Sequence, residues 1–408
     1  MRGTIAVAAL LAACGTGGSG PRTAYLQDGT DHAVTVVWRS SDPGVGRVAW
    51  GTDPAHLDHV ASGGGPTRDH RVRLEDLPSG ARIYYAYGQR AALNANAGQH
   101  YDVAPPPGAD ATLRFWVLGD SGTGGAAQRA VFGAMRREGD VDFLVHVGDV
   151  AYDSGTGHEL DAHYFDVYRE MLQGLVAWPT LGNHDVKSVN VLANRGPYFD
   201  AFVLPAAGEA GGVPSGTEAY YAFDHGPAHF VVLDSAWDPM QRGNAMLAWL
   251  ERDLAANRAK WTIAVFHHPP YSKGTHDSDV EARMIAVREH VVPILEAHGV
   301  DLVLSGHSHA YERTALIDGA YETPSIADAH VLDAAPPYEK SPGPHGGTIY
   351  VVAGHGGART GGQLDHPLVA AASAAHGALL VEIDGDELRG RNVRADGGPG
   401  DTFTLIER

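Results

Sequence analysis

Five short polar motifs stand out in the sequence because each of them directly follows an apolar run. Every motif carries Asp, Asn or His, the side chains that bind hard or borderline cations and that move protons. In α/β sheets, loops at the carboxyl ends of the strands gather at one edge, so we expect the motifs to converge. The five motifs are Gly119-Asp120-Ser121-Gly122, Gly148-Asp149-Val150-Ala151-Tyr152, Gly182-Asn183-His184-Asp185, His267-His268-Pro269-Pro270-Tyr271 and Gly306-His307-Ser308-His309.

The motifs together supply a mixed set of oxygen and nitrogen ligands that contains no thiolate. Such a set suits iron, zinc or manganese, and it is large enough for two metals. A pair of metals about 3.5 to 4 Å apart needs a bridging carboxylate and can clamp both ends of a displacement at phosphorus. Each motif alone has an ordinary explanation as a turn or a capped loop. Their order, strand-end placement and complete ligand count together favour a dinuclear metal site.

The composition limits the classes of protein and partner that fit. The chain has 408 residues, of which 44% are hydrophobic, so it is globular and long enough for more than one domain. Its formal net charge of −19 argues against a nucleic-acid partner, because phosphate backbones bind to basic surfaces. An anionic substrate would therefore need a local positive focus, which bound metals can supply.

The N-terminus resembles an export signal. Residues 4–13 are apolar but too short to span a bilayer, and Leu11-Ala12-Ala13-Cys14 resembles a bacterial lipobox. This pattern predicts a lipid on Cys14, the chain's single cysteine, and hence an exported lipoprotein at the cell envelope that meets the membrane only through that anchor. A plain secretory signal is the alternative. Gly15 to Gly20 reads as a flexible tether, so residues 1–20 form signal and tether.

Residues 21–104 have the pattern of a small antiparallel β-sandwich. Apolar side chains alternate with polar ones in short segments, as in Val34, Val36 and Trp38, and turn-forming residues separate these segments. The run Pro105-Pro106-Pro107-Gly108 then marks a boundary.

Residues 110–408 change to continuous apolar runs that alternate with helical stretches, which predicts a layered α/β domain. Helices are expected over Asn244 to Asn257 and Glu281 to His298, and antiparallel strands close the chain at 378–383, 388–393 and 403–406. The apolar runs lie at residues 113–118, 143–147, 176–181, 230–233, 262–266, 302–304 and 349–352.

The motif series resembles the calcineurin-like metallophosphoesterases, and Tyr152 narrows the resemblance to the purple acid phosphatases. The run His309-Ala310-Tyr311-Glu312-Arg313 is also similar to that family. Residues 25–27, 34–38 and 77–80 resemble its fibronectin-III-like N-terminal domain. The resemblance therefore implies a layered β-sandwich flanked by helices over residues 110–408, preceded by a small all-β domain over 21–104.

The resemblance also implies a role for each candidate ligand. Asp149 would bridge two metals. Ferric iron is expected at the site that contains Tyr152, and zinc, iron or manganese at the other. The first metal would be held by Asp120, Tyr152 and His309, and the second by Asn183, His267 and His307.

Two further histidines resemble groups that contact phosphate or assist the leaving group in this family, namely His184 and His276; the alternative for His276 is a solvated loop residue. In the fourth motif, His267 is preferred as the ligand by its spacing to proline, with His268 as the second choice. For His355, which follows a later strand, we expect a structural glycine turn.

The resulting hypothesis is an exported phosphatase that hydrolyses small phosphate monoesters by attack of a metal-bound hydroxide. The alternatives are a phosphodiesterase or broad-specificity enzyme with zinc or manganese in both sites, and a surface binding protein that has lost catalysis. The sequence does not specify an oligomeric state.

Overall fold

The computed structural model describes residues 20–89, 98–241, 243–326 and 329–408. Cys14 and nearly all of the predicted tether lie outside the described residues. Within the described ranges, every helix is too short or too polar to cross a lipid bilayer.

The largest sheet has ten strands, in the order β18-β23-β22-β21-β8-β9-β10-β1-β2-β5. Strands β8, β9 and β10 run parallel at its centre and are buried and apolar, as the sequence predicted. The predicted closing strands pair antiparallel beside them. The strands are β1 Arg22–Gln27, β2 Val34–Gly44, β5 Thr67–Leu74, β8 Leu113–Leu118, β9 Phe143–His146, β10 Val176–Pro179, β18 Tyr338–Lys340, β21 Gly377–Asp384, β22 Glu387–Arg394 and β23 Thr402–Glu407.

A second sheet of seven strands has the order β11-β12-β13-β14-β19-β15-β20. Its four central strands are parallel. The strands are β11 Tyr221–His225, β12 Ala228–Val232, β13 Trp261–Val265, β14 Leu302–Ser305, β15 Tyr311–Thr314, β19 Ile349–Ala353 and β20 Val369–Ser373. The two sheets pack face to face, since Phe115 of the first meets Phe230 of the second with ring centroids 5.4 Å apart. Two packed sheets are the layered architecture that the sequence predicted.

The N-terminal residues form a small all-β region, as expected from their alternating pattern. Its second layer is a four-stranded sheet of order β4-β3-β6-β7. Its first layer, β5-β2-β1, continues into the largest sheet, because β1 pairs parallel with β10 through Leu26 and Val176. The four strands are β3 Gly46–Gly51, β4 His59–Ser62, β6 Arg82–Gln89 and β7 Gln99–Asp102, and a separate pair is β16 Leu316–Ile317 with β17 Val331–Asp333.

Helices cover the outer surfaces of the sheets. The predicted helix over 244–257 is present, capped by the side chain of Asn244, which accepts from the Leu247 amide. The stretch predicted as one helix from Glu281 is divided by a π-helical turn, Val287–Val291, just before Pro293, whose ring nitrogen has no hydrogen to donate. The helices are α1 Ala126–Arg137, α2 Gly157–Glu159, α3 Arg169–Leu172, α4 Pro197–Ala201, α5 Ala245–Ala256, α6 Ala282–Ala286 and α7 Val292–Ala297, with further turns at Leu160–Phe165, Asp185–Ser188 and Val191–Ala193.

Candidate metal centre

The five motifs meet where the carboxyl edges of the two sheets face each other. Three of them follow the adjacent parallel strands β8, β9 and β10 of the larger sheet, and two follow the adjacent parallel strands β13 and β14 of the smaller sheet. Parallel neighbours end at the same edge, so the loops of each sheet are brought together, and face-to-face packing joins the two groups.

One group of candidate ligands surrounds the hydroxyl of Tyr152. This oxygen lies 3.1 Å from Oδ1 of Asp120 and 3.2 Å from Nε2 of His309. Nε2 of His309 is also 3.5 Å from Oδ1 of Asp120. We call Asp120, Tyr152 and His309 the tyrosine cluster.

A second group surrounds the side-chain oxygen of Asn183. This oxygen lies 3.0 Å from Nε2 of His267 and 2.9 Å from Nδ1 of His307. We call Asn183, His267 and His307 the asparagine cluster. The structure thus groups these six residues in the two sets that the family resemblance implies.

Asp149 lies between the two clusters. Its Oδ1 is 3.6 Å from Nε2 of His267, in the asparagine cluster. The charge of its carboxylate also acts on the hydroxyl of Tyr152, in the tyrosine cluster, and raises the pKa of that hydroxyl. A backbone amide fixes its orientation, because the N–H of His184 donates to Oδ1 at 2.8 Å.

The backbone of the motif loops adopts unusual conformations and packs closely. Asp120, Asp149 and His307 all have positive φ, between 53° and 65°, a conformation that non-glycine residues adopt at a cost of about 1 to 3 kcal/mol. Gly182 is needed for a different reason, since a Cβ there would lie 2.1 Å from both the amide nitrogen and Oδ1 of Asp149. The loops therefore approach each other more closely than larger residues would allow.

Backbone carbonyls select which nitrogen of several histidines faces the clusters. Nδ1 of His267 lies 2.8 Å from the Val147 carbonyl oxygen, and Nδ1 of His309 lies 3.2 Å from that of Arg359. A carbonyl only accepts, so Nδ1 carries the hydrogen and Nε2 is directed at the cluster. Outer partners of this kind are the usual means of orienting histidine ligands.

The electrostatics of the site favour positive charge. Burial raises the pKa of the Tyr152 hydroxyl, and the charges of Asp120 and Asp149 raise it further. Burial by itself would lower the pKa of His267, but the charge and hydrogen bond of Asp149 outweigh it and raise the pKa to about 9. For Asp149, burial acts to raise the pKa, and it is outweighed chiefly by His267, which holds the pKa low.

The residues present fit a pair of metal ions. Asp120 and Asp149 are almost fully buried, and the ion pairs that they form within the described ranges are with histidines, none with Lys or Arg. Buried carboxylates without such cations are costly unless another cation compensates them. The chemistry of the donors also matches, because Asn183 and two imidazoles aim electron-pair donors at one place.

His184 lies beside the clusters and is reachable from solvent, with 24% of its side chain exposed. Its Nδ1 lies 2.7 Å from the Asp153 carbonyl oxygen. Its Nε2 is then directed toward Asp149, 3.9 Å from Oδ2. Lys187 approaches Nδ1 from the outer side, at 3.0 Å.

His276 lies at the rim of the asparagine cluster. Its ring stacks on that of His307, with centroids 3.9 Å apart, and 33% of its side chain is exposed. Two hydrogen bonds hold its loop to the fifth motif: the amide of His276 donates to Ser308 Oγ at 3.4 Å and the amide of His309 donates to Thr275 Oγ1 at 2.8 Å.

The second choice for the fourth motif, His268, is packed beneath the loop. Its Nδ1 lies 3.1 Å from Ser235 Oγ, and burial together with the neighbouring His307 and His267 holds its pKa well below the usual range. His355 is buried in its glycine turn with Nε2 3.0 Å from Asn392 Oδ1, in agreement with a structural role.

No role was assigned from the sequence to two acidic residues near the site. Asp185, the last residue of the third motif, accepts hydrogen bonds from the amides of Val150 and Gly182 at 3.1 and 2.9 Å and so joins two motif loops. Glu281 contacts both His276 and His307. In the sequence it marks only the beginning of a helix, and the spacing to the histidines gives no reason to select it.

Comparisons with known proteins show a family and several relatives to which the chain is similar. Residues 113–311, which contain all five motifs, match the calcineurin-like phosphoesterase family. The chain is 26% identical over 323 residues to purple acid phosphatase 18 of Arabidopsis thaliana, which covers 74% of this chain and 68% of that protein. It is also 26% identical over 352 residues to the phosphoenolpyruvate phosphatase of Allium cepa, which covers 81% and 68%.

Solved structures share the fold. Purple acid phosphatase PPD1 from yellow lupin (Lupinus luteus) seeds superposes with a TM-score of 0.73 at 19% identity, covering 95% of this chain and 74% of that one. The fold and the site thus define a calcineurin-like phosphoesterase, a metal-dependent hydrolase of phosphoric esters. Within that class, the chain is a purple acid phosphatase-like metallophosphoesterase.

Proposed function

We propose that this protein is an exported phosphatase that hydrolyses small phosphate monoesters at a dinuclear metal centre. The observation that carries the proposal is the pairing of the tyrosine and asparagine clusters around Asp149, which offers a complete ligand set for two metals with a carboxylate between them. Purple acid phosphatases and a phosphoenolpyruvate phosphatase among the relatives support phosphate monoesters as the substrate class.

Different residues of the chain have different roles in the proposed reaction. Metal ions held by the two clusters would supply an activated water and offset the negative charge of the phosphoryl oxygens. Tyr152 is the reason to propose ferric iron in the tyrosine cluster, with zinc, iron or manganese in the other. The carboxylate of Asp149 links the two clusters, and the amide of His184 fixes the orientation of that carboxylate.

His184 is assigned as the proton donor to the leaving oxygen. Nδ1 faces the Asp153 carbonyl and Lys187, so Nε2 is the ring nitrogen left to give or take a proton at the substrate. His276 is assigned to the phosphate group, because its ring lies against His307 and remains exposed at the mouth of the site. Both histidines can be reached by a substrate, whereas the carboxylates beneath them are buried.

Export rests on the N-terminal sequence. The lipobox-like segment ending at Cys14 supports a lipid anchor on the outer side of a membrane, followed by the Gly-rich tether.

The test combines metal analysis with two chromogenic substrates. The isolated protein should contain two metal ions per chain and hydrolyse p-nitrophenyl phosphate faster than bis(p-nitrophenyl) phosphate. Asp149→Ala should abolish metal loading and activity together, whereas Asp140→Ala, at an exposed and remote position, should change neither. A faster reaction with the bis-ester would identify a phosphodiesterase, and two bound metals with no hydrolysis of either ester would identify a binding protein. If Asp149→Ala retained both metals and activity, the bridging assignment would be wrong.

A further inference from the structure

Glu281 contacts two of the candidate site histidines from outside the two clusters. Its Oε1 lies 2.6 Å from Nδ1 of His276, and its Oε2 lies 3.1 Å from Nε2 of His307. We propose that Glu281 is a positioning residue that selects the metal-facing nitrogen of His307 and the free nitrogen of His276. This inference rests on the proposed function, because it assigns a role toward the same dinuclear site.

The selection follows from the chemistry of a carboxylate. An ionised carboxylate only accepts hydrogen bonds, so both ring nitrogens that face Glu281 carry a hydrogen. For His307, a hydrogen on Nε2 leaves the electron pair on Nδ1, and Nδ1 is the atom that lies 2.9 Å from Asn183 Oδ1 in the asparagine cluster. For His276, a hydrogen on Nδ1 leaves Nε2 free.

His307 differs from the other histidines of the site in how it is oriented. His267, His309 and His184 each have Nδ1 directed at a backbone carbonyl and present Nε2. His307 presents Nδ1 instead, and the group opposite its other nitrogen is the side chain of Glu281. Its orientation therefore depends on a residue that can be replaced, which makes the role testable.

The backbone around Glu281 holds its carboxylate in place. Glu281 caps the beginning of α6, with its amide donating to the Asp277 carbonyl at 3.1 Å and its own carbonyl accepting from the Ile285 amide at 3.0 Å. Two residues further on, Arg283 donates to the carbonyls of Ser235 and Asp238 at 3.0 and 2.9 Å. These contacts tie the helix to the loop that follows β12, so the carboxylate is presented by a fixed element.

The charge of Glu281 is available to the histidines. The ion pairs of Glu281 within the described ranges are with His276 and His307, and no Lys or Arg takes part. One carboxylate thus couples a candidate metal ligand to a candidate substrate-binding group, which are also in direct ring contact. Outer carboxylates of this kind typically strengthen metal binding about 10- to 100-fold.

The first experiment measures metal binding without turnover. Metal-free protein is titrated with Zn²⁺ by calorimetry, comparing the full chain with Glu281→Gln. Glutamine keeps the shape but has one acceptor oxygen, so one of the two imidazole N–H groups loses its partner. We expect the weaker of two Zn²⁺ equivalents to bind about 10- to 100-fold less tightly. Glu289→Gln, at an exposed position on the turn after α6, should bind both equivalents as the wild type does.

The second experiment separates positioning from a general loss of structure. At saturating Zn²⁺, Glu281→Gln should lower kcat/KM for p-nitrophenyl phosphate about tenfold, and the same change should have little further effect in a His276→Ala background. Glu281→Asp, whose shorter side chain cannot reach both rings, should reproduce the loss of Zn²⁺ affinity at an unchanged melting temperature. Wild-type Zn²⁺ affinity in both Glu281 variants would overturn the inference. A wild-type protein that binds no metal or cleaves no monoester would instead overturn the proposed function.

Discussion

The hydroxyl of Tyr152 and the carboxylate of Asp120 lie 3.1 Å apart, with Nε2 of His309 3.2 Å from the same hydroxyl. A metal bound by these three side chains would be held by the phenolic oxygen directly. A phenolate bound to ferric iron absorbs visible light, so Tyr152→Phe should remove the visible band of the iron-loaded protein. The absorption spectrum measures this, together with iron content per chain. Tyr84→Phe in the N-terminal region is the matched control, and it should keep the band. A band that survives in Tyr152→Phe would show that it does not arise from this tyrosine and would place the iron elsewhere.

The neighbouring histidines His267 and His268 should behave differently when replaced. His267→Ala removes the nitrogen that lies 3.0 Å from Asn183, so we expect the loss of one metal per chain. Activity should fall more than about 100-fold, because even the outer partners of a ligand are typically worth about 10- to 100-fold.

His268→Ala should keep both metals and instead lower the free energy of unfolding by about 2 kcal/mol, through a buried cavity and a lost contact with Ser235. Metal analysis and urea unfolding measure the two effects. The reverse pattern, with metal lost from the His268 variant, would make His268 the ligand.

Asp185 should matter for the stability of the motif loops. It is buried, and its carboxylate accepts from the amides of Val150 and Gly182. Asp185→Ala leaves the amides of Val150 and Gly182 without this partner, at about 1 to 3 kcal/mol each, so the free energy of unfolding should fall by roughly 2 to 6 kcal/mol. Asp166→Ala, whose exposed pair with Arg169 contributes little, should change it by less than about 0.5 kcal/mol. Equal effects in the two variants would contradict the assigned role.

A buried histidine far from the motifs predicts a pH dependence of stability. His229 lies between Asp224 and Asp253, at 2.5 and 2.7 Å. Burial acts to lower its pKa, but hydrogen bonds to Asp224 and Asp253 and their charges outweigh burial and raise the pKa to about 9 from an ordinary value of 6.5. Because the folded pKa is raised, the stabilisation is fully present below about pH 6.5 and is lost as the pH rises through about 9.

Urea unfolding at pH 6 and pH 9.5 tests this dependence. The wild type should lose on the order of 2 to 3 kcal/mol more than His229→Gln over that interval. The variant will be less stable at every pH, so the comparison is between the two slopes. Parallel curves would show that the pKa of His229 is the same in the folded and the unfolded protein.

The sequence predicts the site well where the information is local. Apolar runs followed by polar residues place each motif at a strand end. In the structure, Nε2 of His267 lies 3.6 Å from Asp149 and 3.0 Å from Asn183. Glu281 could not be found this way, because its contacts with His276 and His307 arise only when α6 packs against the loops after β12 and β14.

The fold, too, could be predicted from the sequence only where the information is local. The alternation around Val34 and Val36 predicts buried strands in the N-terminal region, and both side chains are fully buried. The pairing of β1 with β10 was not foreseen, because a strand's pattern specifies which face is buried and not which neighbour it finds.

The contact between Leu26 and Val176 makes the N-terminal region part of the same hydrogen-bonded layer as the strand that leads to Asn183. Tyr25 and Tyr85 reinforce the junction by donating to the carbonyls of Ala201 and Gln173, each at 2.6 Å. A shortened chain starting at residue 110 would lack β1. It would leave β10, a wholly buried apolar strand, as an unpaired edge of the sheet. Such edges recruit other strands, so the shortened protein should self-associate and precipitate, and the sequence boundary at the proline run is a poor place to cut.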